Sequence, residues 1–219
     1  MKIVEQKCEL ITKIKEEDIC KMIEYCGRVA YLSFGRISKE SYKDFINMLL
    51  QKQHLSVFEH ISFTFKITTD RGISHELVRH RIASFTQEST RFCNYNNKDI
   101  EFISPFTFTE GKEEQVELFF QMIKQSEFVY KELINSGMSP QWSRSVLPNS
   151  LKTELFMTAN LRQIFHIVKL RVSKQAHPQM QHLIREMVSQ LKAYYPIIFN
   201  SEYFNNEILC GREQNEFLS

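Results

Sequence analysis

Residues 61–68 alternate without a break, with Ile61, Phe63, Phe65 and Ile67 apolar and Ser62, Thr64, Lys66 and Thr68 between them. A period of two places the apolar set on one face, so this segment reads as a half-buried strand. Elsewhere the period is helical. Ile19, Met22, Ile23, Cys26 and Ala30 predict a helix over about 16–33, and Phe45, Met48 and Leu49 a second, begun by Ser38 as N-cap and ending near Gln53. Val116, Phe119, Phe120, Ile123, Tyr130 and Leu133 predict a long helix over about 112–136 with Gly137 as its C-cap. Met180, Leu183, Ile184, Met187 and Leu191 predict another over about 178–194. These apolar stripes read as core. Residues 2–12 alternate loosely as a first strand, and L-K-T-E-L-F-M-T-A-N from Leu151 to Asn160 reads as a strand before a helix over about 161–171. After a turn at Asp70, Arg71 and Gly72, the residues Ile73, Glu76, Leu77 and His80 recur at helical spacing, which sets Arg79, His80 and Arg81 at a helix end. The fold class is α+β, read as a single domain over residues 1–219.

Length and charge narrow the function. A chain of 219 residues suffices for one core that buries about 70% of the unfolded surface. A net charge of +2 lacks the basic footprint of a general nucleic-acid binder. The cysteines, at 8, 20, 26, 93 and 210, form no C-x-x-C pair and are odd in number, which disfavours a disulfide framework or cysteine zinc site and suits the cytoplasm. No stretch has the ~20 apolar residues needed to cross a bilayer, and the N-terminus has no apolar leader. The tail from Asn200 onward reads as mobile.

Several chemistries are disfavoured as well. His75 and His80 are five positions apart, whereas a helical zinc-protease pair needs four, so no metal site is expected. Glycines at 27, 35, 72, 111, 137 and 211 make neither a G-x-G-x-x-G turn nor a Walker loop. Ser84 and Ser89 lack the G-x-S-x-G elbow of a hydrolase, and Cys93 reads as a small hydrophobe.

The densest chemistry lies from Arg79 to Arg91, R-H-R-I-A-S-F-T-Q-E-S-T-R. Guanidinium forks match phosphate, and hydroxyl and amide side chains add adaptable hydrogen bonds, so the run suits a phosphorylated polar ligand. With no glycine-rich cradle, phosphates need side-chain donors or helix N-termini; Arg79, Arg81, Arg91, Arg144, Arg162 and Arg171 are the candidates.

The R-H-R triplet followed after seven residues by Ser89, and then Arg91, resembles the signature of the flavin-dependent thymidylate synthases. The resemblance continues through H-L-S-V-F-E-H (His54 to His60), R-G-I-S-H-E-L-V (Arg71 to Val78), R-S-V-L-P (Arg144 to Pro148), N-L-R (Asn160 to Arg162) and L-R-V-S-K-Q-A-H-P-Q (Leu170 to Gln179), covering about residues 54–195. It implies a mixed or antiparallel sheet flanked by long helices, and FAD-dependent conversion of dUMP to dTMP. Methylenetetrahydrofolate would give the carbon and NADPH would reduce the flavin, with no covalent cysteine. It implies flavin contacts at Ser56, Arg79, His80, Arg81, Asn160, Arg162 and His166, with His54 and Glu59 as support. It implies dUMP contacts at Glu76, Arg79, Gln87, Glu88, Ser89, Thr90, Arg91, Arg144 and Arg171.

Within that resemblance Arg171 is the expected catalytic residue, since a guanidinium at the uracil N3–O4 edge favours the ionised ring. Ser89 is expected to bind and not to attack. A homotetramer with shared active sites is implied too, with no nucleic-acid or membrane partner. Phe85 and Phe92 stand where the family often has tyrosine, which removes two hydroxyls and keeps the rings. Two other readings are open: a nucleotide- or RNA-binding module that grips phosphates through this run, and a structural subunit with a solvated basic helix end.

Overall fold

The computed structural model describes residues 1–209; Cys210, Gly211 and the end of the expected tail lie outside the described residues. Six strands and eight α-helices follow one another as β1 (Lys2–Ile3), β2 (Lys7–Leu10), α1 (Glu16–Arg28), α2 (Ser41–Gln51), β3 (Ser62–Asp70), α3 (Arg71–Leu77), β4 (Ala83–Gln87), β5 (Glu101–Phe102), α4 (Glu113–Asn135), α5 (Pro140–Ser143), β6 (Lys152–Asn160), α6 (Leu161–Arg171), α7 (Pro178–Tyr194) and α8 (Pro196–Phe199) among the described residues. The class is α+β. One sheet has the strand order β2-β3-β6-β4, and β1 pairs in parallel with β5. Leu161 N donates to Ile61 O, Thr64 meets Thr158 at 2.9 Å and Lys66 meets Glu154 at 3.3 Å, so β3 and β6 run antiparallel.

The chain divides into two compact units. The first comprises Met1–Lys7, Lys66–His80 and Phe85–Phe156; the second comprises Cys8–Phe65, Arg81–Ser84 and, among the described residues, 157–209.

The first unit is built on α4. Ile123, Ser126, Glu127 and Tyr130 are its buried residues, an i, i+3, i+4, i+7 stripe. Ile123 and Tyr130 pack with Tyr95, Ile100, Phe102 and Leu151. Each such large side chain contributes about 1.5–3 kcal/mol when fully buried. The buried Glu127 is satisfied by Ile100 N at 3.3 Å and Lys131 Nζ at 2.7 Å. Gly137, at φ +94°, ends the helix in the left-handed region, as its position in the sequence leads one to expect. In the same unit Asp70 closes β3 and opens α3, its carboxylate accepting from Ile73 N at 2.7 Å. The expected turn at Asp70–Gly72 is therefore a strand running directly into a helix.

The second unit centres on Phe165 of α6, whose ring lies 5.9 Å from Phe58, 5.8 Å from Phe199 and 5.7 Å from Phe204. Helix α7 spans the expected residues and buries the expected stripe. Its Gln190 continues the β2 ladder in side-chain form, donating to Cys8 O at 2.5 Å and accepting from Leu10 N at 2.8 Å. Two expectations fail here. Ser41, not Ser38, opens α2, and its hydroxyl accepts from Ser38 N at 2.9 Å while donating to Glu24. The stretch from Asn200 to Leu209 is not loose, because the π-helical turn Phe204–Leu209 buries Phe204 and Ile208.

Candidate active site

In the first unit, α3 ends at Leu77, and Val78 and Arg79 form a turn. The R-H-R triplet thus lies just beyond a helix, not within its last turn. His80 is buried, with its N–H bonded to Leu77 O at 3.0 Å, while the Arg79 side chain is exposed. Glu76 sits half-buried on α3.

The second half of the signature is a strand that apolar periodicity does not reveal. β4 runs into a turn at 89–93, closed by Ser89 O accepting from Phe92 N at 3.2 Å and Cys93 N at 2.9 Å. Gln87 and Glu88 face inward. Gln87 Nε2 donates to Ser74 Oγ at 2.9 Å and to Thr153 Oγ1 at 3.1 Å. Glu88 Oε1 accepts from Tyr95 Oη at 2.8 Å, and its N–H donates to Glu154 O at 2.8 Å. Burial raises the Tyr95 phenol well above its ordinary pKa, and the Glu88 carboxylate pushes it further the same way. Tyr95 is therefore a neutral donor over the whole working range.

Beyond Glu88 the chain meets a second element. Thr90 is buried, and its hydroxyl accepts from Arg144 Nη1 at 3.3 Å. Arg91 Nε donates to Gln141 Oε1 at 3.4 Å, and its N–H donates to Ser89 Oγ at 3.3 Å. Gln141 and Arg144 come from α5 and the 3-10 turn Arg144–Val146. That turn is anchored to α4 by Ser126 Oγ, which donates to Val146 O at 2.7 Å. The structure thus joins Ser89, Thr90, Arg91 and Arg144, with two exposed guanidinium groups beside hydroxyl groups. This donor set can hold a phosphate monoester. Gln141 lies outside every sequence motif, although it stands three residues before a matched arginine.

In the second unit, the 3-10 helix Leu55–His60 packs on α6. Ser56 is exposed on it, and Glu59 Oε1 accepts from Arg162 Nη1 at 2.5 Å. Asn160 is the N-cap of α6, its side chain accepting from Gln163 N at 2.9 Å. His166 lies one turn beyond Arg162 on the same exposed face, and Arg171 is the half-buried last residue of the helix. Arg81 is exposed.

The family model described as thymidylate synthase complementing protein matches residues 9–197 of the chain. The chain belongs to this family. Among its relatives is the flavin-dependent thymidylate synthase of Pyrococcus furiosus, 32% identical over 173 residues that cover 78% of this chain and 70% of that protein. The flavin-dependent thymidylate synthase of Geobacter sulfurreducens is 30% identical over 184 residues, 81% of this chain and 79% of that protein. The fold is shared with the crystal structure of a UMP/dUMP methylase, PolB from Streptomyces cacaoi, bound with 5-Br dUMP; the TM-score is 0.77 at 22% identity, covering 92% of this chain and 96% of that one. All the family-motif residues described above fall inside the matched span.

Proposed function

We propose that this chain is a flavin-dependent thymidylate synthase that converts dUMP to dTMP, with FAD as bound cofactor, 5,10-methylenetetrahydrofolate as carbon donor and NADPH as reductant. The chain is read as one catalytic domain, whose motif-bearing part is about residues 54–195, and the enzyme works in the cytoplasm as a homotetramer with shared active sites. The observation that carries the reading is the Ser89, Thr90, Arg91 and Arg144 cluster, a phosphate-type donor set built inside the family-matched span.

In this reading Arg91 and Arg144 grip the dUMP phosphate in charge-assisted hydrogen bonds, helped by the hydroxyls of Ser89 and Thr90. The side chains of Gln87 and Glu88 and the N–H of Glu88 are engaged within the protein, so their contact with the nucleotide comes from the main-chain groups that these bonds leave open. Glu76 and Arg79 orient the uridine. Arg171 stands at the N3–O4 edge and favours the ionised ring, which enriches C5 for attack on the carbon donor. No covalent cysteine is required.

The residues present fit a flavin dinucleotide. Its pyrophosphate needs cationic donors, and Arg79, Arg81 and Arg162 are exposed, with His166 on the same face as Arg162. Ser56, His80 and Asn160 complete this set. When bound, the reduced flavin supplies the hydride, and the protein's task is to hold and orient the reactants.

The test is the visible absorption spectrum of the purified protein, repeated after FAD is added and excess removed, then after dUMP. A retained flavin spectrum that shifts with dUMP, followed by dTMP formation from methylenetetrahydrofolate and NADPH, is the expected result. A protein that retains no flavin refutes the reading.

A further inference from the structure

The turn that carries Ser89, Thr90 and Arg91 is fastened on its inner side by groups that no family motif noted above includes. Glu88 occupies the residue just before it, half-buried. Its Oε1 accepts from Tyr95 Oη at 2.8 Å; its Oε2 is buried, makes no hydrogen bond, and lies 3.7 Å from Lys152 Nζ. Lys152, the first residue of β6, is also 3.4 Å from Glu101 and 3.4 Å from Glu154. One ammonium therefore faces three carboxylates. Burial opposes its charge, but Glu88, Glu154 and Glu101 together outweigh burial and raise its pKa, so it stays cationic. Tyr95 is itself fixed, with its ring 5.9 Å from Tyr130 and its N–H donating to Tyr130 Oη at 3.3 Å.

We propose that Tyr95 and Lys152 are positioning residues: they clamp Glu88 from two sides and so set the place of the adjacent Ser89–Arg91 donors for the dUMP phosphate. The proposal rests on the dUMP reading above. A carboxylate one residue from the donor turn transmits any displacement directly to it, because the turn's closing bonds all converge on Ser89. Loss of Lys152 leaves Glu88, Glu101 and Glu154 mutually repelling, and loss of the Tyr95 hydroxyl leaves a part-buried carboxylate oxygen without its donor.

Three variants test this in the flavin-loaded full-length protein. Tyr95→Phe keeps the ring on Tyr130 and removes only the hydroxyl; Lys152→Met removes the charge, and Lys152→Arg restores it. Amide hydrogen exchange in the absence of nucleotide reads the turn through four hydrogen-bonded N–H groups, those of Glu88, Arg91, Phe92 and Cys93. Exchange at these amides is expected to speed about tenfold in Tyr95→Phe and Lys152→Met, with α7 unchanged and the turn restored in Lys152→Arg. In turnover, KM for dUMP is expected to rise about fivefold to twentyfold while kcat at saturating dUMP stays within about twofold. Unchanged exchange at the turn overturns the proposal, and so does faster exchange with an unchanged dUMP KM. If wild-type protein makes no dTMP but the variants loosen the turn, the clamp stands and the functional reading falls.

Discussion

Arg144 Nη1 and Thr90 Oγ1 meet at 3.3 Å although 54 positions separate them in the chain. Thr90 is buried and Arg144 exposed, so the pair fixes the root of a guanidinium whose remaining donors face outward. A fork held by one end is pre-organised for a phosphate, and less entropy is lost when the ligand binds. Arg144→Ala is expected to raise KM for dUMP about tenfold to a hundredfold while the flavin spectrum is retained. Thr90→Val, which keeps the size and removes the hydroxyl, is expected to cost about threefold to tenfold. Steady-state kinetics with varied dUMP distinguishes the two; an unchanged KM in Arg144→Ala removes it from the phosphate site.

The Arg162 and Glu59 pair is 2.5 Å long yet both side chains are about half exposed. An exposed pair contributes only about 0–1 kcal/mol to stability. Arg162→Ala should therefore shift the thermal midpoint of the flavin-free protein by no more than a few degrees, yet sharply reduce retention of FAD after gel filtration. A large loss of stability with normal flavin retention makes the pair structural.

Arg171 closes α6, where a cation is favoured by the helix dipole whatever its chemistry. Arg171→Ala is expected to keep bound flavin and lose dTMP formation by about a hundredfold or more. A lysine at this position keeps the charge but cannot reproduce a planar fork at a ring edge, so Arg171→Lys should restore stability without restoring turnover. Turnover of Arg171→Ala at the wild-type rate dismisses the ring-edge role.

Ser89→Ala addresses the neighbouring hydroxyl. It loses one hydrogen bond to the Arg91 N–H and one ligand donor, so dUMP binding weakens and measurable activity persists. Complete loss of activity with normal dUMP affinity would turn Ser89 into a nucleophile.

The elements with strong periodicity are legible in the sequence: β3, α4, α7, and the succession of β6 into α6 all lie where alternation or helical spacing places them. β4 is not, because Ala83, Ser84, Phe85, Thr86 and Gln87 offer only two alternating apolar positions, and the face they share is half-buried at best, so the strand depends on its pairing with β6. The end of α3 is obscured for a related reason. His80 falls at helical spacing and is buried, but the helix stops at Leu77. The phosphate donors are legible through motif residues, whereas Gln141, Tyr95 and Lys152 are not: each acts on a motif residue through a contact that only tertiary structure brings about.

A last test concerns the packing of α1 and the ionisation of its buried thiol, both within the second unit. Gly27 is the penultimate residue of α1, where alanine is intrinsically better by at most about 1 kcal/mol. A Cβ at this position would stand 2.6 Å from Phe45 Cε1, and that ring is held beneath the Arg28 guanidinium at 4.2 Å. Overpacking of this kind costs about 1–3 kcal/mol, so Gly27→Ala is expected to lower the thermal midpoint despite its helix propensity. On the same helix, burial pushes the Cys20 thiol up to about 12, with Glu16 acting in the same direction. A folded-state pKa above the unfolded value means that this group's contribution to stability is complete below about pH 9 and falls away as pH rises toward 12, at about 1.4 kcal/mol per pH unit. Cys20→Ala should flatten that alkaline loss in urea melts taken between about pH 8 and about pH 10. A slope identical to that of the wild type would mean that Cys20 ionises as freely in the folded protein as in the unfolded chain.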